Sequence, residues 1–411
     1  MASPYVSFIF IGLLDMLAVH FVLPYLDNHM KELGFNHLQI GLVGAAFYAC
    51  QLISSPFIGS VSDIKGRKPV LLISLIVCSF AYFWLGITSS FFVFFSLRIV
   101  LGIFKQTQIL ARALAPDYLD DPNDVSILYG KLLSLGKLGT DLGTNLGGRI
   151  TKAFPKSGFT IACALTTPLY FIILRLVNGL PEISKEKKED NPEPEKKSPK
   201  PNNSITDTYK QSLHNIFSID WNKYWDIYLF KLILSTSIGL YYMNFTSFLE
   251  TNHELSSDYI GYIGTFQGII ATIILETVFY SNKVYRNDTD YSQRIFHVFL
   301  VIVLSFVGLA LVDNVYLYVA LVVPKAMYFS LGRMVTLNVL WSRSDDTNRG
   351  VLIGLLYNVG LISSVITPLI SGFINHYLGV TYVFYTGAML ASVGLVLSYQ
   401  ARSRSLEEKI K

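Results

Sequence analysis

One carboxylate, Asp15, stands in an otherwise apolar run, flanked by Leu14 and Met16. In another apolar run three basic residues, Arg98, Lys105 and Arg112, recur every seven positions, a spacing that lines one face of a continuous helix. An ionised Arg, Lys or Asp at the centre of a membrane helix costs about 2.5–3.5 kcal/mol on the insertion scale, so each needs a partner or a water-filled cavity. Two chemistries fit: Asp15 takes up and releases a proton, or it is the standing ion-pair partner of Lys105 or Arg98. Arg112, nearer the end of its run, is placed to snorkel. Lys137 and Asp141 stand four residues apart and can neutralise each other along a helix. Later apolar runs hold Lys231, Glu276, Lys325 and Arg333, while Tyr241, Tyr242, Asn244 and Gln267 offer neutral hydrogen bonds. The candidate solute and ion pathway is therefore Asp15, Arg98, Lys105, Tyr241, Tyr242, Asn244 and Gln267.

A second constellation is a polar loop between two apolar runs, Gly59-x-x-x-Asp63-x-x-Gly66-Arg67-Lys68. Gly59 permits close helix approach, Asp63 lies within reach of basic groups, and Gly66 suits a tight turn. Lys and Arg in a short loop mark the cytoplasmic side, so this loop orients the chain. A third is glycine-rich: Gly143, Gly147 and Gly148, matched further on by Pro368 and Gly372.

The elements that must carry these residues follow from composition. Of 411 residues 52% are apolar and only 15% charged, too greasy for a soluble chain of this length. About 20 apolar residues cross a bilayer core as a helix. Twelve stretches qualify, near 5–26, 38–60, 69–89, 91–114, 125–150, 158–179, 225–250, 259–281, 293–313, 315–341, 349–374 and 380–400. With the Gly59 loop inside, both termini are inside, and Arg and Lys concentrate in the inner loops. No cleavable leader is evident, because the first run ends at acidic Asp27. The fold expected is an all-α membrane protein of twelve transmembrane helices in two pseudo-symmetric six-helix bundles. Its parts are an N-terminal bundle over 1–180, a cytoplasmic linker over 181–224, a C-terminal bundle over 225–401 and a tail over 402–411. The linker is rich in Lys, Glu and Pro, and from Ser204 the spacing of Ile205, Tyr209, Leu213, Ile216 and Phe217 suits a short surface helix. The sequons at Asn202 and Asn287 fall on the inner side.

Internal repetition supports two related halves. Gly130, Gly136, Thr144 and Gly148 match Gly354, Gly360, Pro368 and Gly372 at a constant offset, and Gly41 and Gly44 match Gly261 and Gly264. In that register Asp63 falls against Lys283. The polar loop is not duplicated, so an inner gate built on Asp63 and Arg67 should be asymmetric.

Twelve spans split six and six, with that loop between the second and third, resemble the major facilitator superfamily over the whole chain. The resemblance implies alternating access, with Asp63 and Arg67 as gate residues and the first, fourth, seventh and tenth helices lining a central cavity. Arg98-Ile-Val-Leu-Gly102 is similar to the family's Arg-x-x-x-Gly element. Gly143-Thr144-x-x-Gly147-Gly148 resembles the glycine element of its proton-coupled antiporters, with Thr144 where a proline is usual and Pro368 in the equivalent place of the second half. Gly102-Ile-Phe-Lys105, Ala111-Arg-Ala-Leu114, Leu240-Tyr-Tyr-x-Asn244-Phe245 and Leu249-Glu250 resemble the tetracycline-resistance-like drug and proton antiporter branch.

These readings describe a secondary active transporter of a small organic solute, with H+ as a candidate coupling ion and the lipid bilayer as its surroundings. The basic residues point to an anion or an acid, the resemblance to drug-like compounds. The rival is a transporter-like solute receptor or scaffold without net flux. A lipid-handling carrier fits less well, because the deep charges oppose an apolar cavity. No phosphate-binding Gly-x-x-x-x-Gly-Lys-Ser/Thr pattern occurs, and neither a nucleophile arrangement nor a His/Cys cluster is evident. The chain is thus expected to be no enzyme, to hold no cofactor or metal, and to bind no nucleic acid. Its cysteines, Cys50, Cys78 and Cys163, lie in apolar runs and are expected to stay free.

Overall fold

A bilayer offers no water to its backbone, so a long apolar run is satisfied within itself only as a helix. The computed structural model describes residues 4–119, 122–181, 221–286, 288, 290–344 and 349–410, and every regular element among them is helical. The first run becomes α1 (Pro4–His20), a 3-10 turn (Leu23–Tyr25) and α2 (Leu26–Glu32). It is followed by α3 (His37–Lys65) and α4 (Arg67–Leu85), then α5 (Phe91–Phe104) and α6 (Thr107–Leu114), which a 3-10 turn (Ala115–Asp117) closes. After these come α7 (Pro122–Ala153) and α8 (Gly158–Asn178). Beyond residue 220 lie α9 (Trp221–His253), α10 (Ser257–Val284), α11 (Ser292–Leu311), α12 (Val315–Arg343), α13 (Arg349–Tyr377) and α14 (Val380–Ile410). Nine helical stretches among the described residues are long and apolar enough to cross a membrane. Phe80, Phe92 and Leu304 on their surfaces are exposed, as side chains that face lipid must be.

Two expectations change here. The span over 91–114 is not one helix, because Lys105 and Gln106 leave the helical path between α5 and α6. The seventh helix starts at Trp221, inside the stretch assigned to the linker. The rest of the linker, its surface helix and the sequon asparagines lie outside the described residues, as do the side chains of Lys137, Glu276 and Lys283.

The described residues group into two compact units, one within Met1–Leu23, Cys50–Ile150 and Phe154–Ser218, the other within Pro24–Ala49, Thr151–Ala153 and Ile219–Lys411. In the first, α7 crosses α1 through glycines: a Cβ at Gly143 would lie 2.6 Å from the Leu17 carbonyl oxygen and 3.0 Å from His20 Cβ. In the second, the start of α3 crosses α13, where a Cβ on Gly41 would meet the Pro368 carbonyl oxygen at 2.5 Å and one on Gly372 the His37 carbonyl oxygen at 2.6 Å. Polar bonds flank that crossing: Asn28 donates to Glu250 at 2.6 Å and Lys31 to Ser247 at 2.6 Å. In the same unit Lys152 donates to Asp258 at 2.7 Å. The bonds from Lys152 and Ser256 hold the Asp258 carboxyl down to about 2.

Gly59 behaves differently from its expected role, since a Cβ there would meet nothing within 4 Å. Gly66 does turn the chain, with φ +95° at the junction of α3 and α4, a conformation that side chains disfavour. The contrast is testable by thermal unfolding of the purified full chain. Gly143→Ala should lose about 1–3 kcal/mol through overpacking, whereas Gly59→Ala should be neutral or slightly stabilising. Equal effects of the two would refute this account of the α1 and α7 crossing.

Candidate functional site

Asp15 is fully buried on α1 and Lys105 nearly so. The Lys105 ammonium lies 2.5 Å from Asp15 Oδ1. Thr107 Oγ1 donates to Asp15 Oδ2 at 2.9 Å and Gln108 Nε2 to the same oxygen at 2.9 Å, while Lys105 also donates to Thr107 at 2.6 Å. The carboxylate thus has a counter-ion and two further donors. On an unbroken helix residues 105 and 107 would point about 200° apart. Both reach one carboxylate only because the helix breaks between them. The seven-residue basic stripe is therefore not one face of one helix: Arg98 lies on α5, Lys105 caps it, and Arg112 lies on α6. Arg98 is buried and acts electrostatically on Tyr82, which stacks on Tyr170, and Lys105 Nζ lies 5.8 Å from the Tyr170 ring centre.

The break frees backbone groups at membrane depth, which is tolerable only where protein satisfies them. Side chains of α3 do so. Gln51 donates to the Lys105 carbonyl at 3.0 Å, and Ser54 reaches the Ile103 carbonyl at 3.2 Å. In return Gln106 donates to the Gln51 carbonyl at 3.0 Å and to Ser54 at 3.1 Å. Thr107, Gln108, Gln51 and Ser54 are the site residues that spacing alone missed. The signal for Thr107 and Gln108 was a polar run, Lys105-Gln-Thr-Gln108, in the middle of an apolar span.

In the second unit Tyr241, Tyr242 and Gln267 converge, but on a residue outside the expected set. Lys325 of α12, fully buried, donates to Gln267 Oε1 at 2.7 Å. Its ammonium lies 3.2 Å from the Tyr241 ring centre and 4.8 Å from that of Tyr242, cation–π geometry that is favourable where water is excluded. Asn244 is elsewhere. It donates to the Leu240 carbonyl at 2.8 Å and accepts from Ser371 at 2.9 Å and Asn375 at 2.7 Å, tying α9 to α13. Beside it a small cavity is lined by Lys31, His37, Ser247 and Asn375 among others.

In the polar loop, Arg67 draws three groups together. It reaches Asp63 at 3.2 Å, Asp117 at 3.3 Å and the Ala113 carbonyl at 2.5 Å, joining the end of α3 to the end of α6. Lys68 donates to the carbonyls of Asn178 at 3.2 Å and Leu180 at 2.7 Å, favourable at the C-terminal end of α8. The second half has its own acid–guanidinium pair. Asp288 accepts from the backbone of Gln293 and Arg294 at 3.0 Å each and lies 3.4 Å from Arg294 Nε. The Arg294 guanidinium lies 5.3 Å from the Tyr285 ring centre and 4.8 Å from that of Tyr291. The asymmetry expected of this inner loop is thus one of pattern, and the charge pair occurs in both halves. Of the glycine motif, Gly143, Pro368 and Gly372 make the crossings described above, and Gly147 and Gly148 are buried.

A model of the Major Facilitator Superfamily matches residues 8–344. The chain belongs to that superfamily. It is a multi-pass integral membrane protein. It is 30% identical to the class B tetracycline resistance protein of Escherichia coli over 169 residues, 40% of this chain and 41% of that protein, so the match spans about two fifths of that relative. It is 24% identical to the class H tetracycline resistance protein of Pasteurella multocida over 400 residues, 95% of this chain and 94% of that one. Its fold resembles that of the human organic anion transporter MFSD10 (TETRAN), with a TM-score of 0.66 at 20% identity, covering 97% of this chain and 100% of that one. It also resembles a bacterial homologue of the human lysosomal transporter Spinster, with a TM-score of 0.79 at 12% identity and 98% of each chain covered.

The buried pair makes a prediction that separates pairing from simple polarity. Asp15→Asn or Lys105→Met alone leaves one buried charge uncompensated and should cost about 3–5 kcal/mol, whereas removing both should cost less than either single change. Thermal unfolding of the four proteins in one detergent measures this; additive losses would show that the pair is not coupled.

Proposed function

We propose that the chain is a secondary active transporter of a small organic acid, moved together with a proton by alternating access of two six-helix halves. The reading takes twelve spans, both termini cytoplasmic, an N-terminal bundle over 1–180, the linker over 181–224, a C-terminal bundle over 225–401 and a tail over 402–411. The observation that carries it is the Asp15–Lys105 pair at 2.5 Å, held across a helix break in the middle of a span. A proton on Asp15 would remove its charge and release the Lys105 ammonium for an anionic group of the solute. Proton and anion then compensate each other, which lowers the cost of carrying either through low dielectric. Arg98, Tyr241, Tyr242 and Gln267, with Lys325, serve the same pathway, and Asn244 serves the α9 and α13 contact beside it. Asp63 and Arg67 act as the inner gate, since Arg67 alone links Asp63 to Asp117 and the Ala113 carbonyl. Lys68 and the turn at Gly66 hold the helix ends that the gate moves.

The tetracycline resistance relatives favour a drug-like solute exchanged for protons, and the test distinguishes the two cases. In proteoliposomes a gradient that is acidic outside should accelerate uptake of radiolabelled benzoate by the parent. Asp15→Asn should abolish the effect of the gradient, and Lys105→Ala should lower uptake at least tenfold. If Lys105→Ala transports as well as the parent, the pair has no part in solute handling. If instead the gradient drives efflux of a cationic drug and leaves benzoate untouched, the exchange reading replaces this one.

A further inference from the structure

α9 and α12 run antiparallel, and two contacts set their register. Tyr224 Oη donates to the Arg343 carbonyl at 3.0 Å, and Gly332 lies so close to Leu234 that a Cβ would stand 2.8 Å from its Cδ2. Between these contacts, Lys231 on α9 and Arg333 on α12 fall within one turn of the same level, close enough for Arg333 to repel the Lys231 charge. Each is ten residues from the same end of the pair, counting from Trp221 to Lys231 and from Arg343 back to Arg333, or about 15 Å at 1.5 Å per residue. That end is closed by a separate ion pair, Arg343 with Asp226 at 2.9 Å.

Among the described residues neither the Lys231 ammonium nor the Arg333 guanidinium has a hydrogen-bond acceptor or a carboxylate partner. Lys231 is half-buried and Arg333 exposed. The guanidinium lies 5.8 Å from the Phe329 ring centre, and Phe329 packs against Tyr242 at 6.2 Å. Lys325, Phe329 and Arg333 follow one another every four residues along α12, and Lys231 and Tyr242 are eleven apart, three turns, along α9. One strip therefore leads from the buried Lys325 cluster to the two cations. Like charges brought near one another repel unless an anion lies between them.

We infer that Lys231 and Arg333 form a clamp for the anionic group of an organic ion, a carboxylate, sulfonate or phosphate, with Phe329 and Tyr242 against its apolar part. A guanidinium fork and an ammonium suit such a group, since their hydrogen bonds are charge-assisted. As a stage on the solute path the clamp rests on the transport reading above; as an anion site it stands on its own geometry.

The test uses the full chain in neutral phosphatidylcholine nanodiscs, with sulfate as the probe against chloride at matched ionic strength. Sulfate should raise the unfolding temperature of the parent. Lys231→Gln and Arg333→Gln should each raise the sulfate concentration for half that shift at least tenfold. Without sulfate both variants should unfold at or above the parent temperature, because the repulsion is gone; this also reports that they fold. Sulfate acting equally on all three proteins, or not at all on the parent, would overturn the clamp, as would variants less stable than the parent without sulfate. In discs containing phosphatidylserine, loss of the sulfate response assigns the anion to a lipid headgroup, and its persistence to a solute from water. A protein that keeps the sulfate response but moves no organic acid in liposomes would refute the transport reading and leave the clamp in place.

Discussion

The structure depends on one constraint: at membrane depth a charge or an open backbone group must be answered by the protein itself. The fourth apolar run meets it twice at the same place. Breaking the helix after Lys105 lets Lys105 and Thr107 converge on Asp15, and the carbonyls opened by the break are taken by Gln51 and Ser54. The ion pair and the break are therefore one feature. An unbroken helix could not bring both side chains to Asp15, and a break without Gln51 and Ser54 would strand polar backbone in hydrocarbon.

Close packing puts these groups in place. Glycines let α7 lie against α1, the helix that carries Asp15, and let the start of α3 lie against α13. α3 thus has two duties along its length. Its first half packs on α13 near Asn244, and its second half supports the break that carries Lys105. At its end Gly66 turns the chain into α4, where Arg67 binds Asp63, Asp117 and the Ala113 carbonyl. A shift of α6 would therefore be felt at that loop through the two bonds that Ala113 and Asp117 accept from one guanidinium.

Each half of the chain buries a lysine among groups drawn from other helices. The Lys105 ammonium lies against the Asp15 carboxylate, and the Gln267 amide oxygen and the Tyr241 ring are among the groups around Lys325.

Much of this was legible in the sequence because bilayer physics is severe. Length and hydropathy marked the spans, Asp15 and Lys105 stood out as charges that needed a partner or a cavity, and Gly66 marked the turn before Arg67. Superfamily membership followed from the same residues. Other features required the fold. The equal spacing of Arg98, Lys105 and Arg112 implied a continuous helix, and periodicity cannot register a break whose support comes from Gln51 and Ser54, some fifty residues earlier. Gly59 and Gly143 look alike as letters, yet one faces open space and the other a carbonyl. Asn244 and Tyr241 are three residues apart on one helix and serve different neighbours. The sequence by itself determined which groups could not be left alone in a membrane; tertiary structure decided which partner each received, because partners come from other helices whose distance in sequence sets no distance in space.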